Sequence, residues 1–329
     1  MCIRDSGLLG EILKVRGLSK QFTKKNLFGS KTSTVKAVED VTFSLHDDEV
    51  LVIAGESGSG KSTIAKLILR GIAPDSGSIV FDGEEISEDT DSIMKIRMNC
   101  QMIHQDPYDS INPRMKIKDI ISEPLEIHNV GNAAEREKIV LDALKEVKLE
   151  PSKEIASKYP HMLSGGQRQR VVLARALVLR PKIIIADEPV SMLDVSIRAE
   201  ILELMKNIQK KNNISFIYIT HDLATARYFG QKIIILYLGK VMESGSIDQV
   251  LLKPRHPYTQ ALIDAISEPD PDNLYKEKVI RINEPLNIDF YSGCRFRARC
   301  QYAIDKCENV PELESRDGRN VACFVDITK

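Results

Sequence analysis

The residues from Val50 to Ala54 are apolar without a break, and just beyond them Ile64, Ala65, Leu67 and Ile68 return at the spacing of one helical face. An unbroken short apolar run predicts a strand buried on both sides, and the spacing after it predicts a helix. Upstream, apolar and polar residues alternate from Ile12 to Phe22 and from Val35 to Leu45, with a Lys-rich loop around Lys24 to Lys31 between them. That period of two predicts two half-buried strands in an antiparallel layer. Downstream, Asp75-Ser76-Gly77 turns the chain into a short strand from Ser78 to Phe81, and the acidic run Glu84 to Asp91 reads as a solvated surface.

The stretch Cys100 to Pro107 ends a strand and enters a Pro-containing loop, and from Ile117 to about Tyr159 helical periodicity dominates (Ile139, Ala143, Leu144, Val147), bounded by Pro113, Pro124 and Pro151. This predicts a helical insertion over about 113–165. A further helix carries Val171, Val172, Ala174, Leu177 and Val178; buried strands follow at Lys182 to Ala186 and Ile214 to Thr220. Ile233 to Leu236 and Lys240 to Met242 flank Gly239 as a hairpin. Pro254, His256 and Pro257 mark a boundary before a helix from about Tyr258 to Ile266, and Pro269, Pro271 and Pro285 make the connection to the tail irregular. The predicted fold is α/β: a core with an antiparallel β layer and a helical insertion over 11–255, then a small, irregular, Cys-rich extension over 256–329.

Composition narrows the function. A chain of 329 residues buries a sizeable core, and a net charge of −1 offers no general attraction to nucleic acid. The longest apolar candidate, Val171 to Leu179, is interrupted by Arg175 and falls short of the roughly 18 to 20 residues that span a bilayer, so a membrane role must come through partner chains. Six cysteines without a signal peptide point to a reducing compartment and away from disulfides; four of them, Cys294, Cys300, Cys307 and Cys323, crowd into the tail. The opening Met1 to Ser6 shows no structural pattern, and residues 1–10 are set aside as a leader outside the fold.

The chemistry concentrates between the predicted elements. Gly55-Glu56-Ser57-Gly58-Ser59-Gly60-Lys61-Ser62, followed by Thr63, fits the phosphate-binding P-loop pattern, with the strand before it and the helix after it that this chemistry needs. Small residues let successive N–H groups curl around phosphates, the helix start adds a positive dipole end, Lys61 reaches the terminal phosphates and Ser62 can ligate Mg²⁺. A flexible Gly/Ser turn would explain neither Lys61-Ser62 nor the flanks. Ser164-Gly165-Gly166-Gln167 opens a helix and forms a second anion-binding element. Asp187 and Glu188 end an apolar strand, where α/β sheets bind ligands: Asp187 suits a Mg²⁺ shell and Glu188 a general base. Gln105 offers an amide to a metal or an attacking water, and His221 ends the next strand at the same sheet edge. Phe22 reads equally as a base-stacking aromatic and as an ordinary edge residue.

Together these elements resemble the ATP-binding subunits of ABC transporters over roughly Glu11 to Lys329. The resemblance implies that Gly55 to Thr63 is the Walker A motif, Gln105 the Q-loop glutamine, Leu163 to Gln167 the signature motif, and Asp187 and Glu188 the end of Walker B. It makes Ser191-Met192-Leu193-Asp194 the D-loop, His221 the switch histidine and Phe22 the base-stacking aromatic. Narrower features are similar to the peptide-importer branch, in particular the second ATPase subunit of oligopeptide and dipeptide permeases: Gln105-Asp106-Pro107 with Asn112-Pro113-Arg114, Tyr159-Pro160-His161, Asp194-Val195-Ser196, and His256-Pro257-Tyr258-Thr259 before a Cys-rich tail. Departures are Met162 where that branch has Glu, His104 where it has Phe, and Met192 where it has Ala.

The resemblance further implies an ATP- and Mg²⁺-dependent enzyme on the cytoplasmic face of the membrane, with Ser62, Gln105 and Asp187 around the metal. Each ATP is expected to close between the P-loop of one subunit and the signature of a second, homologous ATPase, docked on two permease subunits that receive peptide from an extracytoplasmic binding protein. Nickel or another small solute is the alternative cargo. A soluble ABC ATPase acting on nucleic acid or ribosomes would predict a coiled-coil insertion, a second nucleotide domain or a basic surface, and the sequence shows none of these. A P-loop kinase or GTPase leaves Ser164 to Gln167 unexplained. Four thiols are the ligand set of a [4Fe–4S] cluster, and the spacings lack the paired knuckles of structural zinc, which stays as the alternative. The tail is apolar-poor, so a hydrophobic core is not expected to order it unaided; Arg295, Arg297 and Arg299 are expected to favour its thiolates.

Overall fold

A computed structural model describes residues 10–24, 33–265, 282 and 292–327. The leader, the Lys-rich loop and the Pro-containing connection after the last long helix lie outside the described residues. β1 (Glu11–Lys24) and β2 (Ser33–His46) pair antiparallel, as their alternation predicts. Val38, Val41, Phe43 and Leu45 turn inward from β2, and register shifts between Val15 and Leu18 account for the break in strict alternation along β1. The buried β3 (Val50–Ala54) runs through the P-loop into α1 (Lys61–Ile68). β4 (Ser76–Phe81) begins two residues earlier than its apolar pattern suggests and, with β5 (Glu84–Glu85), completes a sheet ordered β2-β1-β4-β5.

After α2 (Thr90–Asn99), whose first turn is capped by Asp89, β6 (Cys100–Ile103) leads to α3 (Pro107–Ser110). The insertion then supplies α4 (Ile117–Ile127), α5 (Ala133–Glu146) and α6 (Ser152–Ser157). Asn132 and Glu135 form a reciprocal capping box that starts α5. Arg175, on α7 (Gly165–Leu177), clamps the insertion by pairing with Glu123 at 2.6 Å and donating to the Ser110 carbonyl at 3.0 Å. β7 (Ile183–Asp187), α8 (Val195–Asn212), β8 (Ser215–Thr220), α9 (Leu223–Phe229) and β9 (Lys232–Tyr237) follow in βαβ succession. β9 turns back into β10 (Lys240–Ser246) as the expected hairpin, before α10 (Ile247–Leu252) and α11 (Pro257–Asp264). The last strands are β11 (Glu314–Arg316) and β12 (Arg319–Val321).

The central sheet runs β11-β12-β10-β9-β3-β8-β7-β6, and the five strands from β9 to β6 are parallel. Its two faces bury separate apolar clusters. One face, with Ile53, Ile185, Ile217 and Ile219, packs on α1 and the antiparallel sheet; the other, with Val52, Ile184, Phe216 and Ile233, packs on the insertion and α7 to α11. All parallel strands are thus covered on both sides, the physical reason their sequences show no alternation.

The tail departs from expectation. Cys294, Phe296, Cys300 and Cys307 bury within the same apolar cluster as the helices, and β12 pairs with β10, extending the central sheet. Apolar residues are few in this segment, yet those present are placed against the large core of the preceding chain, so that core orders it.

Candidate active site

The P-loop departs from the C-terminal end of β3 and becomes helical at Lys61. Gly60, at φ 103°, caps that helix, and a Cβ there would stand 2.1 Å from the Ala37 carbonyl oxygen, so backbone conformation and space both demand glycine. The amide of Gly239 donates to the Ser59 carbonyl at 2.9 Å and ties the loop to the β9–β10 turn. Lys61 Nζ donates to the carbonyls of Gly55 (2.8 Å) and Glu56 (2.9 Å). Burial lowers the ammonium's pKa, opposed by the nearby carboxylates of Glu188, Asp187 and Glu56.

Three neighbouring segments deliver the remaining groups to one edge. Glu188 directly follows β7, donates its N–H to the Ile219 carbonyl of β8 at 2.9 Å, and adopts φ 47°, a costly conformation for a non-glycine residue. One carboxylate oxygen lies 3.0 Å from His221 Nδ1, and the other accepts from Gln105 Nε2 at 3.0 Å. Three residues separated by up to 116 positions therefore meet on a single carboxylate, because β6, β7 and β8 are adjacent and end at the same edge. Asp187 reaches the site through Ser62, whose hydroxyl binds its carboxylate. Burial raises the acid's pKa, the Ser62 bond works against that, and the charge of Glu188 adds to it.

Apart from Asp187, which lies behind Ser62, these groups line a cavity of about 630 Å³, whose wall includes Gly58, Lys61, Ser62, Thr63, Gln105, Glu188 and His221. Gly55, Glu56, Ser57 and Gly60 also contribute, whereas Ser59 is buried beneath the loop. The rest of the wall carries no signal in the sequence. It is made by Val35, Lys36 and Ala37 of β2, by Leu238, and by Leu262 of α11, about two hundred residues from the P-loop. Phe22 is half exposed and stands across the β-ladder from the wall residue Val35, one strand away from the cavity itself. The Lys20 ammonium lies 6.0 Å from its ring centroid.

Ser164 to Gln167 are not on this cavity's wall. Ser164 caps α7, its hydroxyl accepting from the Gln167 amide at 3.3 Å while the Gln167 side chain accepts from the Ser164 amide at 3.0 Å. A Cβ on Gly166 would meet the Ile197 side chain at 2.6 Å, so glycine lets α7 approach α8 closely. Asp194 is the exposed N-terminal flank of α8, between Met192 (62 % exposed) and Val195 (80 % exposed). Within one chain the two segments expected to bind anions therefore do not share a cavity.

In the tail, Cys294, Cys300, Cys307 and Cys323 are all buried. Burial pushes Cys300 up to about 12 and Cys323 up to about 11, and the proximity of the other cysteines adds to both shifts. Among the described residues no group of three or more His, Cys, Asp or Glu side chains is arranged to hold a metal ion. Burial raises the Cys294 pKa, and of the three arginines expected to favour these thiolates, Arg297 does pull it down against that larger effect and also pairs with Glu308; Arg295 pairs with Glu39 and Arg299 with Glu56, both in the N-terminal part of the chain.

Comparison with known proteins bears on this geometry. Residues 38–191 match the family described as ABC transporter, and residues 242–307 match that described as oligopeptide/dipeptide transporter, C-terminal region. A putative peptide import ATP-binding protein of Brucella ovis is 42% identical over 318 residues, covering 96% of this chain and 98% of the relative. The dipeptide transport ATP-binding protein DppF of Haemophilus influenzae is 41% identical over 318 residues, covering 95% and 96%. Among solved structures, a dimeric ATP-binding cassette in a post-hydrolysis state, bound to ADP and Pi, superposes with a TM-score of 0.63 at 31% identity, covering 72% of this chain and 99% of that one.

Proposed function

The chain belongs to the ATP-binding subunits of ABC transporters, and from that premise we propose that it hydrolyses ATP to power uptake of oligopeptides or dipeptides. The observation that carries the chemistry is the Glu188 carboxylate, held 3.0 Å from both Gln105 and His221 on the edge of the P-loop cavity. The peptide cargo is supported by the names of the relatives and by the match over residues 242–307.

In this reading Gly55 to Thr63 wrap the phosphates, Lys61 exchanges its carbonyl partners for the terminal phosphates, and Glu188 accepts the proton of an attacking water. Gln105 and His221 fix the orientation of that carboxylate, and His221 also meets the γ-phosphate. Ser62, Gln105 and Asp187 fit a Mg²⁺ shell, since the Ser62 hydroxyl and the Asp187 carboxylate already touch. When held there, Mg²⁺ would offset charge developing on the phosphate oxygens. Phe22 stacks on the base once β1 and β2 close over it. Because Ser164 to Gln167 are not on the wall of their own cavity, they complete the site of a second ATPase, with Asp194 at the contact. A homologous subunit, two permeases and an extracytoplasmic binding protein complete the machine, with this chain peripheral on the cytoplasmic face.

We divide the chain into an ATPase unit over 11–255, its helical insertion over 113–165, and an extension over 256–329. Four buried cysteines that influence one another supply the thiol set of a [4Fe–4S] centre, with zinc as the alternative; the described residues show no ready-made group of three or more ligands for either. Anaerobic preparation should then yield about four irons and four sulfides per chain. Stoichiometric zinc, or no metal, would refute the cluster. The transport reading is tested by reconstituting the chain with its permeases, a homologous ATPase and a peptide-binding protein. Peptide should stimulate ATP hydrolysis, and stimulation by nickel alone would reassign the cargo.

A further inference from the structure

Glu56, the second residue of the P-loop, is held on three sides. Its carbonyl accepts from Lys61 Nζ at 2.9 Å, which is internal to the loop. The other two contacts come from the C-terminal extension: its N–H donates to the Tyr258 hydroxyl at 2.9 Å, and its carboxylate pairs with Arg299 Nη1 at 2.8 Å.

Neither partner is loosely placed. Tyr258, on α11, is 1% exposed and packs its ring on Tyr237 (centroids 4.5 Å apart) and Phe296 (5.3 Å). Arg299 lies 5.8 Å from the ring centroids of both Tyr237 and Phe296, and also donates to the Tyr237 hydroxyl at 3.3 Å. Phe296 and Arg299 stand between Cys294 and Cys300, so the Cys-bearing lobe itself supplies the ring and the guanidinium. Leu262, one turn beyond Tyr258 on α11, forms part of the cavity wall.

We propose that Tyr258 and Arg299 are positioning residues for nucleotide binding, through which the C-terminal extension pre-shapes the P-loop at Glu56. The inference rests on the ATP-site reading above and deepens it. The physical basis is preorganisation. Glu56 is where the chain leaves β3, and its carbonyl is one of the two that hold Lys61. Fixing its amide and carboxylate fixes both the path of the loop and the resting place of the ammonium before phosphate arrives, and spares the ordering that binding would otherwise require. Any change that loosens the lobe around Cys294 and Cys300 then acts on ATP affinity without touching the residues around Glu188.

The test measures Mg²⁺-ATP affinity of the full chain and the KM and kcat of the assembled transporter. Tyr258→Phe keeps the ring packing and removes only the hydroxyl; Arg299→Met removes the charge, and Arg299→Lys retains it. Tyr258→Phe and Arg299→Met should each weaken ATP binding about 5- to 10-fold, the scale of a lost hydrogen bond that leaves a partner unsatisfied. The effect should fall on KM, with kcat changed less than about twofold, and Arg299→Lys should recover part of the loss. Combining Arg299→Met with Glu56→Gln should cost no more than the larger single effect, because both delete one pair. Wild-type affinity in Tyr258→Phe and Arg299→Met, or additive losses in the double variant, would overturn the inference while leaving the ATP site standing. Failure of the wild-type chain to bind ATP would overturn the ATP-site reading itself, and this inference with it. If Arg299→Met does not fold, Tyr258→Phe and Arg299→Lys decide the outcome alone.

Discussion

The left-handed backbone of Glu188 is a costly local feature of the site, and it aims the carboxylate between Gln105 and His221. On the mechanism proposed above, Glu188→Gln keeps the shape and removes the proton acceptor, so ATP turnover should fall by about 10²-fold or more with nucleotide binding retained, as single-turnover and binding assays would show. Lys61→Ala should fail earlier, at binding, because it removes the cation directed at the phosphates; near-normal ATP affinity in that variant would count against the P-loop assignment. The residues legible in the sequence were those whose identity is fixed by local chemistry. Gly60 admits no Cβ, and Lys61 and Ser62 are defined by their place after a tight loop and before a helix. Tyr258 and Arg299 carry no such signature. They meet Glu56 across 202 and 243 residues, and only the folded chain reveals the contact.

At the scale of elements, the parallel strands were legible because burial on both faces leaves them wholly apolar. The tail was misjudged because its order comes from the distant core and from the β10–β12 ladder, neither of which its own composition encodes. The N-terminal end of β3 offers a measurable case of such long-range fastening. Glu49, nearly fully buried, accepts from Lys232 of β9 at 2.7 Å, from the His46 amide at 2.9 Å, and lies 3.1 Å from the His46 ring. Burial alone would raise its pKa, but the bonds from Lys232 and His46 outweigh it and hold the carboxyl below its ordinary value. A depressed carboxylate contributes stability that is present above its unfolded-state pKa and is lost as pH falls through the folded-state pKa. Glu49→Gln should therefore cost about 1–3 kcal/mol near neutral pH. The gap from wild type should close as the medium is acidified below the ordinary glutamate range, a trend that denaturant titrations at several pH values would follow. A gap that is constant with pH would mean the contact is packing and not charge. α8 connects two further parts of the site: Arg198 donates to the Leu193 carbonyl at 3.3 Å and pairs with Asp222, the cap of α9, at 3.2 Å. Through that one side chain the loop carrying Asp194 and the turn carrying His221 are joined. Arg198→Ala should thus lower turnover more than ATP affinity, measured by the same KM and kcat comparison.

The whole molecule presents the P-loop cavity and, away from its wall, the start of α7 proposed above as an anion site, and this separation predicts an assembly. Met162, Met192 and Val195 are 56%, 62% and 80% exposed beside Ser164 and Asp194, a poor arrangement for a surface facing water. Covering them with a second ATPase would bring Ser164 to Gln167 against that partner's bound nucleotide, and the partner's equivalent against this chain's cavity. If the partner is a homologous subunit and not a second copy, complexes of this chain with its permeases alone should hydrolyse ATP only at background, and adding the homologous ATPase should restore peptide-stimulated turnover. The face, as well as the partner, can be tested. Ser164→Arg in this chain places bulk and charge at the helix start without touching its own cavity. It should therefore abolish closure over the partner's nucleotide while leaving this chain's own ATP affinity unchanged. Full peptide-stimulated activity without a second ATPase would make the pair a homodimer. Unimpaired activity of Ser164→Arg in the complete assembly would remove the signature helix from the contact altogether.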